Sequence, residues 1–244
     1  TFMNLGNDKY NKCNSAYAAG GPKQAISMLN ANLDMNIKDF VTIGFAGLID
    51  TINALGGIPM DITNEEIHYL NDYQYCIAED LKRQYTPVSS AGMQTLDGMQ
   101  ATGYCRIRYT KGDDFRRTER QRNVLKAIME KSKEASVPQL VEIANDVFDE
   151  VYTSLGITEI TELLGEASQY KVVADDGFPT ADKRWTGNIG SPGDCIVPNS
   201  LADNVSWLHE FLFDESGYVP SNEVQTFSDH ITSVTDKHKP KSVQ

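Results

Sequence analysis

Residues 40–62, FVTIGFAGLIDTINALGGIPMDI, narrow the fold more than any other stretch of the chain. Residues 39–45, DFVTIGF, have the length and apolar character of a short buried strand. Leu48, Ile49, Ile52 and Leu55 then recur at the three- and four-residue spacing of a helix. Gly56-Gly57 follow, and glycine ends helices well because it enters left-handed backbone without a Cβ clash. IPMDI, residues 58–62, reads as a second strand. A strand, a helix, a Gly-Gly stop and another strand in so short a span predict helices layered on a sheet, an α/β fold.

The remaining elements continue that alternation. Gly20-Gly21-Pro22 is a breaker ahead of a helix carrying Ala25, Ile26, Leu29 and Leu33. NEEIHYLNDY predicts a short helix, and Leu96, Met99 and Ala101 another. Residues 104–109 alternate as a strand, with Cys105, Ile107 and Tyr109 on one side and Arg106 and Arg108 on the other. A polar turn, TKGDD, leads to a helix from about Thr118 to Glu134 with Val124, Leu125, Ile128 and Met129 as its apolar positions. A further helix spans about Pro138 to Leu155, with Leu140, Ile143, Val147 and Val151 in its stripe, and ITEITELLGEAS continues helical. Residues 171–200, rich in Gly, Pro and Asp, read as a long irregular loop. LADNVSWLHEFLF and NEVQTFSDHITSV close the chain with two helical patterns. No repeat or composition shift marks a boundary, so residues 1–244 are read as one domain with a loop-rich C-terminal extension from about residue 171.

Hydrophobic residues make up 40% and charged residues 23% of the 244, as in soluble globular chains. The formal net charge of −12 argues against general nucleic-acid binding, since duplex phosphates would meet a repelling surface. No apolar run approaches the roughly 20 residues needed to span a bilayer. The first residues have neither the basic nor the apolar segment of a signal peptide. Cys13, Cys76, Cys105 and Cys195 are far apart, so CxxC motifs are absent, and four cysteines allow three pairings that the sequence does not choose among. His68, His209, His230 and His238 are scattered, and His209 reads as a helix-packing or surface residue.

Against this acidic background RIRYTKGDDFRRTERQR, residues 106–122, gathers seven Lys and Arg among three Asp and Glu. On a strand, Arg106 and Arg108 would share a face about 7 Å apart at the backbone. Arg117, Arg120 and Gln121 would lie on one face where the next helix begins. Arginine's planar fork matches phosphate oxygens, and a helix N-terminus adds free N–H groups, so a phosphate or pyrophosphate is the natural guest. A solvated surface run paired with Asp113, Asp114 and Glu119 accounts for the composition equally well. Thr118 and Gln121 also fit a capping box, T-x-x-Q, which would occupy Gln121 with backbone. No Walker-type glycine loop, GxSxG, HExxH or EF-hand pattern is present.

YCRIRYTKGDDFRRTERQR resembles the signature of the LytR-CpsA-Psr (LCP) family, an R-x-R strand followed by D-F-x-R-x-x-R-Q. NSAYAAGGPKQAISMLN, the residue 40–62 unit, AGMQTLDGMQATGYCRIRY, DCIVPNSLADNVSWLHEFLF and YVPSNEV are similar to further family segments in the same order. The resemblance implies an LCP catalytic domain of α-β-α layers, a central mixed sheet flanked by helices around an apolar lipid pocket. It implies a transferase on the outer face of the bacterial cytoplasmic membrane, moving a teichoic acid or capsular polysaccharide from a polyprenyl-pyrophosphate carrier to peptidoglycan. Arg106, Arg108 and Asp114 take catalytic roles in that scheme. Arg106, Arg108, Arg117, Arg120 and Gln121 bind pyrophosphate, and Mg²⁺ neutralises it further.

The chain departs from the family pattern at its start. R-S-D and P-R-D-T segments, which supply metal-binding aspartates and the expected general base, would precede Thr1, as would a membrane-anchoring helix. The resemblance therefore places the metal ligands upstream of these 244 residues. A polyprenyl-pyrophosphate pyrophosphatase, or a module that binds the carrier without turnover, would use the same arginines.

Overall fold

The computed structural model describes residues 1–108 and 113–240, with Asp113 and Asp114 described by backbone alone. In chain order the elements are strand β1 (Phe2–Asn4), β2 (Tyr10–Lys12), helix α1 (Ser15–Leu33), β3 (Val41–Ile43), α2 (Phe45–Ala54), β4 (Ile58–Ile62), α3 (Asn64–Leu81), β5 (Gly92–Leu96) and α4 (Gly98–Arg106). They continue with α5 (Asp113–Ser132), α6 (Val137–Asp146), β6 (Val151–Thr153), α7 (Ile157–Gly165), β7 (Arg184–Asn188), β8 (Asp194–Pro198), α8 (Leu201–Phe213) and α9 (Asn222–Thr235). Residues 1–40 and 173–244 make one compact unit, and residues 41–172 a second.

In the first unit β1 pairs with β2, and β7 with β8, both antiparallel. The expected breaker kinks α1: Gly20 and Gly21 leave helical backbone, Gly21 at φ 64°, and Pro22 opens the second half, where its missing N–H has no partner to lose. The stretch expected as a loop from 171 to 200 contains the β7–β8 hairpin. Gly190, Pro192 and Gly193 make its turn, where both glycines take positive φ, and the strands on either side are only five residues long. The core joins Phe2, Met3 and Met28 to Val197, Leu201, Val205, Val224 and Ile231. His209 is buried on α8, with Nε2 2.9 Å from the Leu33 carbonyl and Nδ1 3.0 Å from Glu215.

The second unit holds the basic cluster. β4 alternates buried Ile58, Met60 and Ile62 with exposed Pro59 and Asp61, as a strand with one wet face should. It pairs antiparallel with β5, and β3 pairs antiparallel with β6. Where one central mixed sheet was expected, the described strands form four separate two-stranded antiparallel ladders. Connection length explains β4–β5. A lone crossover helix would return the chain for parallel pairing. Here α3 is followed by ten residues, 82–91, in neither helix nor strand, long enough to cross that distance again and bring β5 in from the opposite end. β3 is not buried as expected: Val41 is 61% and Ile43 41% exposed. Leu96 ends β5 instead of opening a helix, and the helix expected to Leu155 stops at Asp146, with Val151 moving into β6.

Ile52, Ile58, Leu70, Leu96, Ile107 and Val124 form the core of this unit. α4 crosses α2 in direct backbone contact, because a Cβ on Gly98 would lie 2.1 Å from the Ile49 carbonyl oxygen. Backbone cannot move aside as a side chain can. Gly98→Ala is therefore expected to destabilise the protein by at least about 3 kcal/mol, measured by urea unfolding.

Candidate functional site

The site begins with the cap of α4. Asp97 Oδ1 accepts from the Gln100 backbone N–H at 2.8 Å, and Gln100 Oε1 accepts from the Asp97 N–H at 3.0 Å. This reciprocal capping box starts a helix that runs through Arg106 and places Tyr104 and Ile107, three residues apart, in the core. The strand expected over residues 104–109 is therefore a helix and a turn as far as Arg108, and Tyr109 lies outside the described residues. The alternation of Cys105 and Ile107 with arginines mimics a strand, but burial follows the helical spacing. Ile107 leaves the helix at φ −57°, ψ 125° with its side chain fully buried.

The two arginines consequently part company. Arg108 is exposed. The Arg106 guanidinium carbon lies 4.9 Å from the Phe45 ring centroid on α2 and 5.2 Å from the Tyr73 ring centroid on α3. Aromatic faces attract such a cation electrostatically. Arg106 Nη1 is buried and makes no hydrogen bond among the described residues. A buried charged donor left unfilled is unfavourable by an amount comparable to the bond it lacks, and an anionic oxygen would satisfy it.

α5 starts at Asp113, earlier than expected, so Thr118 lies inside the helix and cannot serve as its cap. Arg117 is half-buried on this helix. Arg120 is buried: its Nε donates to Glu66 Oε1 at 2.8 Å and its Nη1 donates to the Ile107 carbonyl at 3.2 Å. Gln121 Nε2 donates to the Cys105 carbonyl at 3.4 Å. The last carbonyls of a helix lack intrahelical partners, and here two α5 side chains serve carbonyls at the end of α4, on either side of Arg106. Asp114 lies in the first turn of α5, and its side chain is outside the described residues. The TKGDD turn falls there too, apart from the backbone of its two aspartates.

Neighbouring groups feel the burial. The Tyr104 hydroxyl is pushed up to about 12 chiefly by burial, with the Glu66 charge adding to it. Burial pushes the Cys105 thiol up to about 12. Arg83 holds Asp50 of α2 in a two-pronged pair at 2.6 and 2.9 Å, with Glu150 at 3.8 Å from the same guanidinium. An apolar cavity of about 230 Å³ opens among β3, β6, α6 and α7, lined by Val41, Val147, Phe148, Val151, Ile160 and Leu164. Among the described residues, no three His, Cys, Asp or Glu side chains converge to hold a metal ion. All four cysteines are free thiols.

Sequence reasoning missed Phe45, Tyr73 and Glu66. Phe45 and Tyr73 carry no local signal, because α2 and α3 bring them to Arg106. Glu66 had one: it stands three residues after Thr63, the spacing of a capping box.

Fold and site together define an α/β chain whose second unit holds both a half-enclosed arginine with an unfilled donor and an apolar cavity. Residues 2–189 match the LytR_cpsA_psr family, and the chain belongs to it. Biofilm regulatory protein A of Streptococcus mutans is 34% identical over 166 residues, covering 66% of this chain and 39% of that protein. The polyisoprenyl-teichoic acid–peptidoglycan teichoic acid transferase TagU of Enterococcus faecalis is 32% identical over 166 residues, covering 67% of this chain and 50% of that protein. The chain thus spans half or less of these curated relatives. The crystal structure of Bacillus subtilis TagT matches with a TM-score of 0.67 at 21% identity, covering 89% of this chain and 77% of that one. A transcriptional regulator from Enterococcus faecalis matches at 0.70 with 24% identity, covering 97% and 80%. At these identities the two structures show the shared fold.

The thiols supply a check on the packing around the site. Exposed Cys76 should react with a maleimide at pH 8 far faster than half-buried Cys105, whose thiol stays protonated. Mass spectrometry of the labelled peptides reads this directly, and early labelling of Cys105 would contradict the burial described.

Proposed function

We propose that this chain is part of a glycopolymer transferase acting at the outer face of the bacterial cytoplasmic membrane. The substrate would be a polymer of the teichoic acid or capsular type on a polyprenyl-pyrophosphate carrier, and the acceptor a peptidoglycan hydroxyl. The single observation that carries the reading is Arg106, set against the Phe45 and Tyr73 rings with a buried Nη1 that has no acceptor among the described residues. Family membership supports it, as does the transferase named for the Enterococcus faecalis relative.

The roles follow from position. Arg106 would grip a pyrophosphate oxygen, with Arg108 and Arg117 approaching from the exposed side. The family resemblance, and not its described position, gives Asp114 the role of orienting these arginines. As the bond to the polymer breaks, negative charge grows on the departing prenyl phosphate, and a preorganised guanidinium stabilises that charge more than the ground state. The prenyl chain would enter the apolar cavity. Val41 lines that cavity, and Phe45, four residues further along, stacks on Arg106, so β3 leads from the apolar space to the charged one. Mg²⁺ would assist a pyrophosphate substrate, but the described residues do not assemble a ligand set for it, and no step here runs through the ion. No helix of the described residues is long and apolar enough to cross a membrane.

Binding of farnesyl pyrophosphate, measured by titration calorimetry, tests the site. Arg106→Ala should weaken it about 10- to 100-fold, the equivalent of losing one charge-assisted contact of about 1.5–3 kcal/mol. Arg106→Lys should also weaken it, since an ammonium neither stacks as a plane nor presents a fork. Unchanged affinity would remove Arg106 from the site. Phosphate release from the carrier without any acceptor polymer would favour a pyrophosphatase over a transferase.

A further inference from the structure

We infer that Arg120 and Glu66 are positioning residues for the pyrophosphate site, and that Arg120 acts through the Ile107 peptide without touching the ligand. This rests on the reading of Arg106 and Arg108 as anion-binding groups. It reassigns Arg120, whose place in the basic cluster suggests a phosphate ligand, and gives Glu66 a role that its sequence does not announce.

Both side chains are almost wholly enclosed, Arg120 at 6% and Glu66 at 10% exposure. Arg120 Nε is committed to Glu66 Oε1, Arg120 Nη1 to the Ile107 carbonyl, and the guanidinium carbon sits 5.8 Å from the Tyr104 ring centroid. Glu66 is pinned in turn, because its Oε2 accepts from both the backbone N–H (3.0 Å) and the hydroxyl (2.9 Å) of Thr63, the N-cap of α3. One connected chain of bonds therefore ties the start of α3 through α5 to the turn after α4.

The Ile107 carbonyl belongs to the peptide that joins Ile107 to Arg108. Holding its oxygen sets the plane from which Arg108 departs. A buried ion pair adds little net stability over apolar residues of the same shape, but it dictates geometry strictly, since neither charge can be left alone.

A binding cycle with farnesyl pyrophosphate separates positioning from direct contact. The double variant Arg120→Met/Glu66→Leu replaces the pair with apolar groups and leaves net charge unchanged. It should melt a few degrees below the parent, since Thr63 and the Ile107 carbonyl lose their partners, yet still fold and bind about tenfold more weakly. In an Arg108→Ala background the same double change should alter affinity less than about twofold, because the group it aims is gone. Equal losses in both backgrounds would make Arg120 an independent ligand and overturn the inference, as would full affinity in the parent background. If the double variant does not fold, Glu66→Gln, which keeps the shape, is read in the same cycle, and a loss that vanishes with Arg108→Ala is the expected result. Failure of the site reading itself looks different: Arg106→Ala and Arg108→Ala would then both bind as the parent does.

Discussion

Arg120 and Glu66 meet in the interior of the second unit, and much of that unit's geometry runs through the contact. Water is excluded from both side chains, so each charge depends on the other. An exposed pair such as Arg116 with Glu119 tolerates wide changes of geometry, because solvent replaces either partner. The buried pair does not. It joins three helices that approach from separate parts of the chain: the start of α3, the end of α4 and the second turn of α5. The turn that separates Arg106 from Arg108 inherits its conformation from that junction.

The chemistry proposed for the site depends on this division of labour. A group that stabilises developing charge must already be in place, since reorganising around the charge would consume the advantage. Arg106 is held by two rings from different helices, with one donor left to fill. Gln121 and Arg120 occupy the carbonyls on either side of it, which prevents the helix end from competing for the same guanidinium. The basic cluster is thus two sets of residues interleaved in sequence. One set faces the guest, and the other holds the frame.

Much of the architecture was legible in the amino-acid order because local physics produced it. The Gly20-Gly21-Pro22 break, the α2 stripe, the Gly56-Gly57 stop and the β4 strand all depend on near neighbours and appear where the sequence predicts them. The errors have a common source as well. Residues 104–107 alternate polar and apolar yet form a helix, because the Asp97–Gln100 cap upstream starts it and the core accepts Tyr104 and Ile107 together. The β7–β8 hairpin hides behind the glycines and proline of its turn. Val41 and Ile43 look like core residues, but their burial depends on what packs against β3, which β3 itself does not encode.

The sequence by itself determined the family, most of the helices and the segment in which the arginines gather, since motif spacing and local periodicity carry that information. Which arginine is an open donor and which is a structural tie was decided by tertiary structure alone. Arg106, Arg108, Arg117 and Arg120 are chemically identical side chains within a few residues of one another. Their fates diverge because Glu66, Phe45 and Tyr73 arrive from distant segments, and a buried charge takes its role from the partner the fold brings to it.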